Sequence, residues 1–348
     1  MKGRPKLPDD IKELITLVRA GKLFAVQKWI ADGKRTTPPE PYWNSPLRVA
    51  MEIGFHSMVE VLLKTEIPQK DKDAALRSGV WHNEYDFVLL LVEHGADPKT
   101  IDFKHVCESG NPAMISFFLD HGADAITGHP FAVALKNPKR PMLRFFLSYR
   151  EKIPELQYQV NLALKYHANK GSMMWVCLLL WAGADPYVPL PEIGNEPDQE
   201  MDSSALDDAI LNDHEEIAEK IGIDLKRVDA GKLIHRACFR GMWPLIEKLL
   251  DSGVDPNSFL EHEQPIEGLL WHLQMKMDPY HRNPSDYEVD EALKLVLQYA
   301  DRGGRWLPKD GYRFNSFRRS MYKLRTGKVE KIIGSFLRHQ VCSILCVG

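Results

Sequence analysis

Histidine, cysteine and carboxylate side chains are the residues of this sequence that could bind a metal or carry out catalysis. His82 and Glu84 have the H-x-E spacing of a zinc deaminase, but the P-C-x-x-C segment that completes such a site does not follow. His235 and Cys238 are three residues apart and fall in a segment with helical periodicity, so packing in a helical core accounts for both. Neither pair predicts a catalytic site.

A third group lies near the C-terminus, where His339, Cys342 and Cys346 form an H-x2-C-x3-C pattern. Three such ligands could hold zinc, but a fourth is not evident, and the segment also reads as the apolar end of a helix. The sequence contains no phosphate-binding, dinucleotide-binding, zinc-protease or nucleophile-elbow motif. We therefore expect no metal, no cofactor and no enzymatic activity.

Composition is that of a soluble folded protein. Of the 348 residues, 44% are hydrophobic and 27% are charged. No apolar run approaches the eighteen residues of a membrane-spanning helix, and the charged N-terminus does not resemble a signal peptide. Five scattered cysteines argue against a disulfide framework and suit a reducing compartment. We expect a cytoplasmic protein, or a nuclear one if the cell has a nucleus, with no membrane contact.

Charge is distributed unevenly along the chain. The net formal charge is about +5 over residues 1–35, about −16 over the middle and about +8 over residues 301–348. The acidic middle is either solvated surface or a face that attracts a basic partner. The basic C-terminal cap could contact nucleic acid, although the last unit of a repeat array also needs a polar outer face. The residues that could meet phosphates there are Arg313, Arg318, Arg319, Lys323, Arg325 and Lys328.

Short phrases that contain Gly-Ala-Asp, or a close variant of it, recur along the chain. EHGADP ends at Pro98, DHGADA at Ala125, WAGADP at Pro186 and DSGVDP at Pro256. Each phrase follows an apolar run, and a second Gly or another turn residue often stands twelve residues before the Gly of the phrase. Repetition of this kind indicates a repeat architecture, in which one structural unit is stacked many times.

A helix of about two and a half turns is predicted between the two turn positions of each unit. Its apolar residues recur at i, i+1, i+3 and i+4, as in Met114, Ile115, Phe117 and Phe118, which places them on one helix face. A shorter helix rich in small residues precedes the first turn. Gly suits both turns because it adopts a positive φ without a steric cost, and Asn83 takes the first turn position in one unit.

The repeated unit resembles the ankyrin repeat. Its opening motif is matched by SPLRVA from Ser45, and the fullest copy is KLIHRACFRGMWPLIEKLLDSG from Lys232. The resemblance implies an all-α, ankyrin-repeat solenoid of nine to ten helix–turn–helix units with irregular spacing, forming a single domain over residues 1–348. The predicted repeats lie near residues 10–34, 44–66, 73–98, 101–125, 129–151, 160–186, 203–224, 230–256, 264–302 and 313–340.

The connections between units depart from a regular array. Residues 186–202 are a Pro-rich acidic insertion, and residues 274–288 separate the two helices of the ninth unit. Insertions in repeat proteins fall in loops that often bind partners, so both are candidate binding loops. Residues 69–73 are expected to be a short connector before a helix near Ala74, and the close spacing there favours simple turns over β-hairpins.

The ankyrin resemblance also implies where a partner would bind, since contact positions in that family lie near the end of the first helix and face the concave side. Three pairs at these positions combine a large aromatic residue with a basic or imidazole side chain: Trp81–His82, Phe239–Arg240 and Trp271–His272. Trp and Arg dominate interface energetics. We expect a non-catalytic scaffold that binds another protein on this face, although the rings could instead fill gaps between repeats. The alternatives are a nucleic-acid-associated adaptor and an inhibitor or neutraliser of a toxin or enzyme.

Overall fold

The computed structural model describes residues 7–38, 45–137, 140–193, 202–258, 260, 264–276 and 286–305, with the side chains of 140–141, 273–276 and 286–293 left aside. Over these ranges the chain forms eighteen α-helices and one short 3-10 helix. Their β-structure is limited to isolated bridge residues, as between Leu190 and Ser203, and none of these ranges contains an extended strand. The predicted all-α class is confirmed.

Consecutive helices form nine pairs, each made of a first helix, a tight turn and a second helix, and the chain divides into two compact units at residues 1–160 and 161–348. The pairs that lie within the first unit are α1 and α2 (Asp9–Arg19, Leu23–Ala31), α3 and α4 (Pro46–Glu52, His56–Leu63), α5 and α6 (Gln69–Trp81, Tyr85–Glu93), α7 and α8 (Phe103–Ser109, Pro112–Asp120), and α9 and α10 (Pro130–Lys136, Arg140–Tyr149).

Helix α11 (Leu156–Asn169) includes residues of both units. In the second unit there follow α12 (Met173–Trp181), α13 and α14 (Ala205–Leu211, Glu215–Ile221), α15 and α16 (Ala230–Arg240, Trp243–Asp251), and α17 and α18 (Pro265–Lys276, Asp286–Asp301). These nine helix pairs lie at the nine clearest predicted repeats, whose exact boundaries stay a prediction. The tenth, at 313–340, lies outside the described residues, and a single domain over 1–348 stays a prediction.

Within each unit, first helices of neighbouring pairs pack against first helices, and second helices pack against second helices. First helices follow one another as α1, α3, α5, α7 and α9 in the first unit and as α13, α15 and α17 in the second. Second helices do the same, with α2 against α4, α4 against α6, and α12 against α14. Each pair therefore buries its apolar faces against the next pair, as expected of a repeat protein whose units have no separate core.

The turn between the helices of a pair requires a backbone conformation that few residues adopt. At Gly110 and Gly241 φ is 68° and 65°, and the non-glycine residues Asn83 and Asp213 adopt φ of 59° and 61° at the same place in their own pairs. Asn and Asp tolerate this left-handed region better than other side chains because their short polar groups bond locally. The predicted role of Asn83 as a turn residue is confirmed.

The Gly of the Gly-Ala-Asp phrase ends the second helix. At Gly122, where φ is 80°, the following amide of Ala123 donates to the carbonyl of Phe118 across 3.0 Å. The amide of Ala184 donates in the same way to the carbonyl of Leu179 across 2.9 Å. This is the hydrogen bond of a Schellman cap, which satisfies a carbonyl that the helix itself leaves without a donor.

The buried face of the second helix is narrower than the apolar pattern suggests. In α8, Met114, Ile115 and Phe118 are fully buried, whereas Phe117 is only half-buried. In α16 the buried residues are Leu245, Ile246 and Leu249. Truncating one such side chain to Ala typically costs about 2–5 kcal/mol of stability.

Two first helices, α5 and α11, begin earlier than the repeat pattern predicts, α11 at Leu156 instead of near residue 160. Helix α5 starts at Gln69, so the expected connector 69–73 is helical. The added turn forms hydrogen bonds with the loop that follows α6. Lys72 donates to the carbonyl of His94 across 2.8 Å, and Asp73 accepts from the amide of Asp97 across 2.9 Å. These side chains satisfy backbone groups that simple turns leave unbonded, which favours the longer helix.

Candidate partner-binding site

Trp81 is the last residue of α5 and lies within the first unit. Its residue surface is 70% exposed, although tryptophan is usually well buried. The indole meets the imidazole of His105, on α7, edge to face with 5.7 Å between the ring centroids. His105 in turn pairs with Glu108, its Nδ1 lying 3.0 Å from Oε2. Trp81 therefore borders a polar group and keeps most of its apolar surface in solvent.

His82 follows Trp81 as the cap of α5 and is also exposed. Its Nδ1 lies 2.9 Å from the carbonyl oxygen of Ser78, and because a carbonyl only accepts, Nδ1 carries the proton. Glu84 of the H-x-E pattern is the N-cap residue of α6, and its pKa is raised, mainly by partial burial. Asn83 accepts a hydrogen bond from Asn111 across 3.0 Å. These residues build a turn between helices.

Phe239 and Trp271 form one stacked pair in the second unit. Their ring centroids are 4.3 Å apart and their planes differ by 9°. Phe239 is half-buried, whereas Trp271 is 43% exposed. Gly268 allows this approach, since a Cβ there would stand 3.1–3.3 Å from the backbone and Cβ of Phe239. Trp271 thus stacks face to face on its neighbouring repeat, whereas Trp81 meets its neighbour only edge to face.

Arg240 and His272 flank the stack. The guanidinium of Arg240 lies 5.7 Å from the Phe239 ring centroid, and its NH1 is 3.5 Å from Oδ2 of Asp213. The imidazole of His272 covers Gly241, where an added Cβ would meet Nε2 at 2.3 Å. The second unit therefore brings together four of the six predicted residues in one aromatic and cationic cluster.

Two large aromatic residues on second helices are exposed outside the predicted partner positions. Phe24 is 84% exposed near the start of α2, and Trp181 is 71% exposed at the end of α12. The exposure of Trp181 could have been predicted from the sequence, because equivalent helices carry Lys64, Glu93 or Asp120 at the same position of the repeat. A large aromatic residue among charged equivalents points to a function outside the core.

The remaining chemical candidates lie in the core or outside the described residues. His235 and Cys238 are buried in α15, and burial raises the pKa of the Cys238 thiol. No group of three or more His, Cys, Asp or Glu side chains placed to hold a metal occurs among the described residues. His339, Cys342, Cys346 and the basic cap lie outside the described part of the chain.

The described residues bear on the expected absence of membrane contact and on the two insertions. None of the described helices is both long and apolar enough to cross a membrane. Of the two insertions, residues 194–201 and 277–285 are not described, so their role as binding loops stays a prediction. Within the first insertion, the amide of Leu190 donates to the carbonyl of Ser203, which directly follows the insertion, across 3.1 Å.

Comparison with known proteins gives similarity in structure only. No protein-family model and no curated protein matches the sequence. Among solved structures, an ankyrin repeat protein from Leishmania major is 13% identical with a TM-score of 0.43, covering 76% of this chain and 99% of its own. The ankyrin repeat domain of Bcl-3, a member of the IkappaB protein family, is 18% identical with a TM-score of 0.29, covering 73% and 91%. The chain's own helix pairs and positive-φ turns show an ankyrin-type repeat fold, as its repeated motifs predict.

Proposed function

We propose that this chain is a non-catalytic scaffold that binds another protein at the ends of its first helices. The observation that carries the proposal is the exposure of Trp81, which lies at a helix end with 70% of its surface in solvent. The fold gains little from a tryptophan there, whereas burial of its ring by a partner would remove a large apolar surface from water. The ankyrin resemblance places such positions on the concave side.

The cluster of the second unit supports the same function. Trp271 and Phe239 offer a rigid aromatic surface with few rotamers to lose, and Arg240 supplies a guanidinium at its edge. Arg240 keeps donors for a partner carboxylate because Asp213 engages only NH1, at the long distance of 3.5 Å. Aromatic and arginine side chains in one cluster are typical of binding hot spots.

Affinity capture with the whole chain, followed by titration calorimetry on the recovered protein, tests the proposal. Trp81→Ala is expected to weaken binding by about 2 kcal/mol, roughly thirtyfold, with little change in melting temperature. Arg240→Ala is expected to weaken it as well. Phe24→Ala is the matched control, because Phe24 is an exposed aromatic residue on a second helix.

The opposite pattern would overturn this function. If both Trp81→Ala and Arg240→Ala fold normally and bind the recovered protein with wild-type affinity, the ends of the first helices are not the binding site. Capture that depends on residues of the second helices alone would have the same consequence.

A further inference from the structure

Helix α12 presents an apolar stripe to solvent, apart from the face that it buries. Its sequence, MMWVCLLLW, contains no charged residue. Trp175, Val176 and Leu179 are buried, whereas Met174 is 52% exposed and Trp181 is 71% exposed. Cys177 and Leu178 lie half-buried between them. Positions 174, 177, 178 and 181 follow the i, i+3, i+4, i+7 spacing of one helix face. These four residues form the α12 stripe.

The other repeats of the chain show that the fold does not require this stripe. Ten residues after the positive-φ turn position, where α12 has Trp181, four other second helices have Lys64, Glu93, Asp120 and Asp251, and α2 has the small residue Ala31. Three residues after it, where α12 has Met174, they include Asp86 and Glu216. Since these helices bury equivalent inner faces, the apolar outer face of α12 serves something other than stacking.

Helix α14, the neighbour of α12, carries negatively charged side chains beside the stripe. Helix α14 packs beside α12, and counting from the two turn positions sets Glu216 alongside Met174 and Glu219 alongside Cys177. Both carboxylates are exposed, and Lys220 is the one basic residue of the α14 sequence EEIAEKI.

A third carboxylate on α14 favours a cationic neighbour. One oxygen of Glu215, Oε1, is buried without a hydrogen-bond partner among the described residues. Partial burial, and after it the charge of Glu219, raises the pKa of this carboxyl. A cation brought next to the carboxylate would stabilise its charged form.

We propose that the α12 stripe and the carboxylates of α14 bind a basic amphipathic helix of a partner protein. Apolar side chains of that helix would cover Trp181 and its neighbours in the manner of a helix laid on an apolar face, while its Lys or Arg residues meet Glu216 and Glu219. This surface lies on second helices, so it is independent of the first-helix ends and can be tested separately from them.

The size of the stripe favours a single helix over a second copy of the chain. A helix of nine residues is about 14 Å long at 1.5 Å per residue. Four side chains over this length offer much less than the roughly 800 Å² per partner that a stable dimer interface buries. A helical segment needs only a few anchor side chains, which the stripe can cover.

A displayed library of eighteen-residue helices tests the proposal on the purified whole chain. Four positions at i, i+3, i+4 and i+7 vary among apolar residues, and the flanking positions vary between Lys and Glu. Selection is expected to enrich Lys-rich helices. The selected helices are expected to bind Trp181→Ala at least about tenfold more weakly, and the double variant Glu216→Lys, Glu219→Lys more weakly as well.

Three variants distinguish the outcomes. Phe24→Ala is expected to bind the selected helices like the wild type, and so is Trp81→Ala, which separates this surface from the proposed function. Circular dichroism confirms that each variant is folded. No enrichment, enrichment of Glu-rich helices, or equal binding by folded Trp181→Ala would overturn the proposal. A dimer in sedimentation that Trp181→Ala abolishes would also overturn it, in favour of a second copy.

Discussion

Trp271→Ala is expected to destabilise the second unit by about 3–4 kcal/mol. A tryptophan side chain can bury up to about 250 Å². With 43% of the residue exposed, about 140 Å² is removed from water, which corresponds to about 3.5 kcal/mol at 25 cal/mol per Å². The stack on Phe239 adds about 1 kcal/mol, and residual contacts in the unfolded chain reduce the total.

Trp81→Ala provides the matched comparison. Trp81 is 70% exposed, so about 75 Å² is buried and the same conversion gives at most about 2 kcal/mol. Urea denaturation followed by far-ultraviolet circular dichroism measures both variants without relying on tryptophan fluorescence. A double-mutant cycle with Phe239→Leu is expected to show a coupling of about 1 kcal/mol. Equal losses for the two Trp variants, or no coupling, would refute the assignment of Trp271 as a packing residue.

Two further predictions concern a turn and a buried carboxyl. In thermal melts, Gly241→Ala is expected to lose more stability than Gly33→Ala. Both positions have a positive φ, but only at Gly241 would a Cβ meet the imidazole of His272, at 2.3 Å from Nε2. Equal losses of melting temperature would contradict this prediction. Burial raises the pKa of Asp208 despite the hydrogen bond from Ser203, so the folded state holds this proton more tightly than the unfolded chain. The stability associated with it is full below the unfolded pKa and is lost as pH rises through the raised value. Asp208→Asn should therefore reduce the fall of the urea midpoint between about pH 4 and pH 7. Parallel curves of urea midpoint against pH for the wild type and the variant would contradict this prediction.

The helix pairs could be predicted from sequence because the turn positions report backbone conformation directly. A Gly at a fixed distance from a second Gly marks two places where φ is positive, and the apolar residues between them mark a helix face. Asn83 fits the same rule through its tolerance of the left-handed region. These are local signals, and they do not depend on how neighbouring repeats contact one another.

The beginnings of two first helices could not be predicted, because they depend on contacts between repeats. Gln159, in the early part of α11, accepts from the amide of Phe131 across 2.8 Å and donates to the carbonyl of Ala125 across 2.6 Å. Asn161 accepts from the amide of Asp185 across 2.8 Å. Nothing in the repeat pattern shows that a polar residue 24 to 34 positions away completes a loop, so the sequence predicts connectors where the structure has extra helical turns.

The candidate site was predictable in position but not in environment. Counting from the turn placed Trp81 and Trp271 at the same point of their repeats, yet Trp81 is largely in solvent and Trp271 lies on Phe239. The difference arises from Gly268, which brings α17 close enough to α15 for the rings to stack. Close approach between helices depends on small residues on the facing surface, and these are recognisable only once the partner helix is known.

Equivalent positions in a repeat protein serve as internal controls for one another. The apolar run of α12 reads as a core segment when taken alone, because hydrophobic content does not distinguish one helix face from another. Set beside α6 and α8, the same run shows two residues, Met174 and Trp181, where the fold is satisfied by charged or small side chains. An apolar side chain that no equivalent repeat needs for packing contributes little to folding, which makes it a candidate for binding. We propose on this basis that Trp81 and Trp181 belong to surfaces that recognise other molecules, and that Trp271 contributes to stability as well as to the proposed recognition.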